Sequence, residues 1–322
     1  MKRRLEPHLH GRGAQSSAVP TRFGLATREA DGDWRDYVEA LDGPPIKLRT
    51  TVTEERPKTI LSFNRSPDIA FDRSINAYRG CEHGCVYCFA RPTHAYHDLS
   101  PGLDFETRLF AKPDAARLLR ETLAKPKYRP RPIAMGTNTD PYQPIERRYR
   151  ITRQVLEVCL DARHPVTITT KSDRVLDDLD LLAELARRNL TAVAISVTTF
   201  DPKLSGKLEP RAAALGVRSA GWIPLRLPHE VAPLFREWLA VHFPERGEKV
   251  MSIVRSIRAN EHGGRDNDPD FFTRMKPSGI WADLFRARFK LACKRAGIGK
   301  MRFELDCSQF RAPEVGGQMR LL

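Results

Sequence analysis

A second cysteine pair is missing from this chain. Six cysteines occur in 322 residues, and outside one tight group the remaining three, Cys159, Cys293 and Cys307, stand singly. That scatter excludes the even, closely spaced framework of a small disulfide-stapled secreted domain and points to a reducing compartment. The two separated C-x2-C pairs of a zinc ribbon or finger are absent too. No apolar run nears the length that crosses a bilayer, and behind the basic Met1 to Arg4 the stretch Leu5 to Gly13 is polar, so neither a membrane span nor a signal peptide is expected. Repeats of solenoid period are lacking. Acids are in deficit, 40 against 54 basic side chains, and the resulting charge of +14 favours a polyanionic partner, with nucleic acid the natural candidate. A solvated basic surface in an arginine-rich protein explains the same charge equally well.

What the chain does have is one crowded group of thiols. Cys81, Cys85 and Cys88 fall within Tyr78-Arg79-Gly80-Cys81-Glu82-His83-Gly84-Cys85-Val86-Tyr87-Cys88-Phe89. C-x3-C-x2-C spacing on a glycine-bearing loop lets three thiolates converge on one metal centre and leaves a tetrahedral or cubane site one ligand short. Structural sites close their shell with protein ligands, so an open position marks chemistry. Zinc completed by His83, His94 or His97 is the competing use of these donors, and the missing second pair weighs against it. The motif resembles that of radical S-adenosylmethionine (SAM) enzymes. The resemblance implies a [4Fe-4S] cluster on Cys81, Cys85 and Cys88, with SAM on the fourth iron. It further implies reductive cleavage of SAM to a 5'-deoxyadenosyl radical that takes hydrogen from a substrate. Tyr87 then lies against the adenine, an electron donor such as flavodoxin or ferredoxin is needed, and the cytoplasm is the expected location.

Three stretches are expected along the chain. Residues 1–56 read as a flexible basic arm, because residues 7 to 22 are rich in Gly, Ser, Pro, Arg and His without periodicity; a short helix and turn lie around Trp34, Tyr37, Val38, Leu41 and Pro44-Pro45. Residues 57–227 alternate short β-branched runs with segments of helical period, the pattern of parallel strands with crossover helices. Strands are expected up to Tyr78 and at Pro132–Gly136, Val166–Thr170, Ala192–Val197 and Ser219–Leu225, with Phe105–Ala111 as an extra edge strand. A helix is expected from Glu146 to Ala162, with Cys159 in its apolar face, and another capped by Ser172 or Asp173. Residues 228–322 form a helical extension. Its last helix, Ile280 to Arg295, is expected to pack Trp281, Leu284, Phe285, Leu291 and Ala292 inward and to leave Arg286, Arg288, Lys290, Lys294 and Arg295 near solvent. The fold class is α/β: a partial parallel (β/α) barrel with a helical C-terminal extension.

In such sheets the working groups gather on the loops at the carboxyl ends of the strands. Those loops read Gly136-Thr137-Asn138-Thr139-Asp140-Pro141-Tyr142-Gln143-Pro144-Ile145-Glu146, Thr170-Lys171-Ser172, and Ser196-Val197-Thr198-Thr199. Together with the cysteine loop they are similar to the spore photoproduct lyase-like, or DNA repair photolyase-like, branch of radical SAM proteins, over roughly residues 57 to 312. The resemblance implies that Thr139, Asp140 and Glu146 stand where the methionine amino group is held. It puts Lys171 and Ser172 beside the cofactor, and Ser196 and Thr198 facing its ribose or carboxylate. It also raises a nucleic-acid lesion as substrate. Read without it, Asp140-Pro141 is a turn, Glu146 a helix N-terminal charge, and Lys171 the flank of a helix start.

One departure from that branch stands out. Its members continue after the fourth strand with a helix, a fifth strand and another helix, whereas here only Phe200 to Val217 intervenes before Ser219. Eighteen residues hold one helix and its turns, since even a single crossover takes about a dozen residues. The barrel is therefore expected to be one unit short near Ala212 to Leu215. Cluster binding should survive that loss, and turnover is what it puts at stake. Arg147, Arg148, Arg150 and Arg153, with the cations of the last helix, could track a phosphate backbone. Cys293 reads as core, and Cys307 stays open between core and a hydrogen-donating thiol.

Overall fold

The computed structural model describes residues 11–17, 49–198, 220–258, 264–295, 298 and 304–314. Its main sheet has the order β2-β3-β6-β7-β8, formed by Leu61–Phe63, Arg73–Ile75, Ile133–Met135, Val166–Thr170 and Thr191–Ile195. From β3 to β8 every pairing is parallel, and β2 adds antiparallel at one edge. Helices α2 (Ala115–Leu123), α4 (Ile151–Asp161) and α5 (Leu179–Arg187) cross between strands, which makes the chain a mixed α/β protein with an open, partial barrel. The core lies between sheet and helices, where Leu119, Leu123, Ile133, Val155, Leu156, Val166 and Leu185 are fully buried. Each such side chain contributes roughly 1.5–3 kcal/mol of hydrophobic burial. Cys159 belongs to this core, and burial pushes its thiol up to about 12.

Four expectations change in the structure. The first strand breaks after Ile75. The Asn76 side chain accepts from the Thr137 hydroxyl and the Asn138 N–H, and Tyr78–Arg79 leaves as β4 for a second, three-stranded sheet. There the supposed edge strand is central: β5 (Arg108–Ala111) lies between β1 (Thr51–Glu54) and β4, while Phe105 sits in the short helix α1 (Leu103–Thr107). The helix from Glu146 breaks at Arg150 (φ 49°) into α3 (Glu146–Tyr149) and α4, because the Glu146 carboxylate turns back to accept from the N–H groups of Thr152 and Arg153. Residues 220–225 form no strand. Arg258 donates to the carbonyls of Pro224 and Leu225, which a neighbouring strand would otherwise use.

The arm also departs from its expected character. Gly13, Ala14 and Gln15 are buried, and β1 pairs with β5 ahead of the boundary placed at residue 56. Trp34 to Pro45 and the shortened connection at 200–217 lie outside the described residues.

In the extension, α6 (Val231–His242) and α7 (Gly247–Ser256) share a core of Val231, Phe235, Trp238, Leu239, Met251 and Val254, into which Val86 of the cysteine loop inserts. The last helix, α8 (Gly279–Arg295), does not bury the expected stripe: Ala282 alone is buried, and Trp281, Leu284, Phe285 and Leu291 stay 37–49% exposed. At 3.6 residues per turn Arg288 and Arg295 fall inside its apolar arc, so no uninterrupted apolar face exists to pack.

Candidate metal centre and cofactor rim

The cysteine loop leaves β4 through Gly80, which has φ +73°, and turns again at Gly84, φ +64°, conformations that side chains with a Cβ rarely adopt. The N–H of Cys81 donates to the Phe105 carbonyl at 2.9 Å, and turn bonds run from Gly84 to Cys81 and from Cys88 to Cys85. All three cysteines are thiols rather than half-cystines. Cys81 and Cys85 are 7% and 6% exposed, and Cys88 is half-buried. Burial pushes the Cys81 thiol well up, and the charges of Asp140, Cys85 and Cys88 push it further, so the three sulfurs share one electrostatic neighbourhood. Burial raises Cys88 as well, opposed in part by Arg91 and Lys171. Deprotonation therefore needs cations, of which a bound metal would be the strongest.

Four loops then interlock around those thiols. The Thr139 hydroxyl donates to the Gly80 carbonyl at 2.7 Å. Gln143, fully buried, donates to that same carbonyl and to Thr139, and accepts from the Glu82 N–H at 2.9 Å. Asp140 sits at the centre: its carboxylate accepts from the Thr170 hydroxyl at 2.6 Å, the Lys171 N–H at 2.7 Å and the Tyr142 N–H at 2.9 Å, and faces His83 Nε2 at 3.4 Å. Burial works to raise its carboxyl, yet His83, Thr170 and Lys171 hold it below the usual carboxylate range. Lys171 Nζ donates to the Ser196 hydroxyl at 2.8 Å and lies 5.7 Å from the centroid of the Tyr87 ring, whose hydroxyl is 2.6 Å from that of Thr198. Tyr87, Lys171, Ser196 and Thr198 thus form one rim, with Thr139 and Asp140 beneath it.

Two of the sequence-predicted residues stand elsewhere. Glu146 is buried against the Tyr78 hydroxyl and caps α4, and burial lifts its carboxyl to about 7 against the lowering pull of those hydrogen bonds. Ser172 accepts from the Arg174 N–H at 3.2 Å and caps the 3-10 turn Asp173–Asp178. Cys307 lies at the far end of the sheet. The Asp306 N–H donates to the Asn189 carbonyl just before β8, about 15 Å of strand from the rim. Among the zinc alternatives, His94 Nε2 donates to the Arg108 carbonyl at 2.9 Å and His97 packs on Phe110. Among the described residues no group of three His, Cys, Asp or Glu is arranged to hold a single metal ion. Sequence reasoning missed Gln143 as a clamp, and with it the fully buried pair Arg91–Glu106 behind the cysteine loop. Their signal was thin: an arginine three residues after Cys88 and an acid in the mixed run Asp104-Phe105-Glu106-Thr107-Arg108.

The Radical SAM superfamily profile matches residues 75–216, a span that holds the cysteine loop and the five strands β4 to β8. Residues 75–216 match a radical SAM domain. Among the described residues these three thiols are the donor set that such a domain supplies to a [4Fe-4S] cluster, and their shared, largely enclosed surroundings fit that use. The chain is similar to an uncharacterized protein of Mycobacterium tuberculosis, 41% identical over 151 residues, covering 46% of this chain and 44% of that one. It is 31% identical over 136 residues to an uncharacterized protein of Methanocaldococcus jannaschii, 42% of this chain and 48% of the other. With an uncharacterized protein of Acidianus two-tailed virus the identity is 30% over 174 residues, 50% and 56% of the two chains. The chain spans about half the length of these relatives. No solved structure matches it. No helix among the described residues is long and apolar enough to cross a membrane.

Proposed function

We propose that the protein is a radical SAM enzyme whose cluster is held by Cys81, Cys85 and Cys88. Bound there, the [4Fe-4S] cluster and SAM would supply a 5'-deoxyadenosyl radical for hydrogen abstraction. The observation that carries the reading is the gathering of three thiols, two buried and one half-buried, on one loop within the radical SAM span. Tyr87 offers its ring to the adenine, Ser196 and Thr198 offer hydroxyls to the ribose or carboxylate, and Lys171 ties that rim together. Asp140 acts through Lys171 and His83 by fixing two loops, since its oxygens are already engaged. Val86, seated among α6 and α7, anchors the loop from the other side. Placement within the spore photoproduct lyase-like branch, a flavodoxin or ferredoxin donor and a cytoplasmic location extend this reading. Anaerobic purification tests it: brown protein with iron and sulfide that reductively cleaves SAM to 5'-deoxyadenosine is expected, and colourless protein holding zinc sinks it.

A nucleic-acid substrate or partner is favoured by one feature of the extension. A cavity of about 340 Å³ is lined by Trp222, Pro224, Met275, Lys276, Pro277 and Arg286. Trp222 meets Phe285 edge-on there, so rings for stacking stand beside the Lys276 ammonium, a cation for phosphate, while Arg286 is held by Asp283 and the Pro277 carbonyl. The arginines beyond the loop after β6 support it less, because Arg150 and Arg153 are engaged by Asp178 and Asp180. Binding of single-stranded oligonucleotides that weakens steeply with salt and is lost in Trp222→Ala is the expected result. Repair of a defined pyrimidine dimer tests the lesion itself, and SAM cleavage without repair removes that substrate while leaving the enzyme class.

A further inference from the structure

Glu106 is a carboxylate with no exposure at all, deep behind the cysteine loop. A buried charge needs a counter-ion and donors for its remaining lone pairs. Arg91, equally buried, is the counter-ion. The donors come from far away in the chain: the successive N–H groups of Arg12, Gly13 and Ala14 all point at Glu106, those of Gly13 and Ala14 at 3.1 and 2.7 Å. Successive backbone N–H groups closing on one anion form a nest, and here the anion is the protein's own.

The segment touches the loop directly as well. A Cβ on Gly13 would stand 1.8 Å from the Gly84 carbonyl oxygen, so only glycine permits the approach. The Arg12 guanidinium reaches Glu82 Oε1 and the Thr50 hydroxyl, each at 2.9 Å. Behind Glu106, Arg91 carries the link onward by donating to the carbonyls of Gly84 at 3.0 Å and Cys85 at 2.9 Å. Ser16 donates to Glu237 of α6, and Ala14 packs with Leu103 and Leu234. The segment therefore ties the cysteine loop to the helical extension.

We propose that Gly11–Ser17 is a strap that positions the cysteine loop, with Glu106 as its anchor and Arg12 and Gly13 as positioning residues for the cluster. What the loop holds rests on the proposed function, whereas the ordering of the loop does not. The test uses full-length Gly13→Val and Arg12→Ala, with Gly221→Ala, where a Cβ meets nothing within 4 Å, as control. In the metal-free proteins, amide hydrogen exchange over residues 80–91 should quicken by about tenfold in both variants while β6 and β7 keep wild-type protection. After reconstitution, iron should pass to a chelator faster than from wild type, and the EPR envelope of the reduced cluster should change, with the thermal midpoint held. Wild-type exchange over 80–91 in Gly13→Val overturns the strap. Where Gly13→Val exchanges fast throughout, Arg12→Ala decides in the same way. A wild type that takes up no iron removes the cluster reading alone, and the exchange result still judges the strap.

Discussion

The half of the molecule built on β3, β6 and β7 and the half built on β8 and α8 use apolar residues in opposite ways. Around the first, Ile133, Val155, Leu156 and Val166 are sealed; on β8 Val193 remains 41% exposed, and α8 shows five large apolar side chains to solvent. Strands of a parallel barrel are normally covered on both faces, and β8 is not. The groups that need rigidity follow that division. The thiols, Asp140 and Gln143 belong to the sealed half, and only Ser196 and Thr198 come to the rim from the open one.

The comparison can be sharpened from its most demanding point. Replacing Cys81, Cys85 or Cys88 by alanine should drop iron and sulfide per reconstituted chain to background while the thermal midpoint of the metal-free protein stays within a few degrees. In the sealed core, Leu156→Ala removes a fully buried side chain between α4 and the sheet, and denaturant unfolding should show a loss of about 2–5 kcal/mol. Glu146 probes the same half through pH. Its folded value near 7 lies above the ordinary 4.5, so its contribution is complete below about pH 4.5 and is lost as pH rises through 7. That contribution amounts to roughly 3 kcal/mol across the window, where the buried imidazoles of His94 and His164, pushed down to about 4, act with the opposite sign, so the difference in slope between wild type and Glu146→Gln, an isostere of the protonated acid, isolates it. The open half should respond least: Leu291→Ala on α8 is expected to change stability by no more than about 0.5 kcal/mol. A loss there as large as that of Leu156→Ala breaks the comparison, because it means that α8 is covered in solution.

Much of the alternation was legible beforehand. Val166–Thr170 appears in the structure with its expected bounds, and the strands around Ile133 and Ala192 appear within two residues, because β-branched runs bounded by turn residues leave little choice. The breaks were not legible. Arg150 leaves the helix because a carboxylate four residues earlier turns back onto α4, and β3 ends because Asn76 captures a loop 61 residues away. Both depend on partners that no local period announces. The arm was misread for the same reason: polar, glycine-rich residues 11–17 cannot bury apolar surface, yet they are held by a buried acid almost a hundred residues on.

Spacing along the chain determined that three thiols share one loop within eight residues, the donor set proposed for the cluster. The alternation of β-branched runs with segments of helical period likewise determined that this is an α/β chain. Tertiary structure alone decided which polar residues face that centre. It sent Glu146 and Ser172 to cap helices, gave Asp140 to its own neighbours, carried Cys307 to the opposite end of the sheet, and brought Gly13 against Gly84. Hydrogen bonds between segments distant in sequence are formed only once burial makes an unpaired polar group costly, and a linear pattern carries no record of which partner will be near.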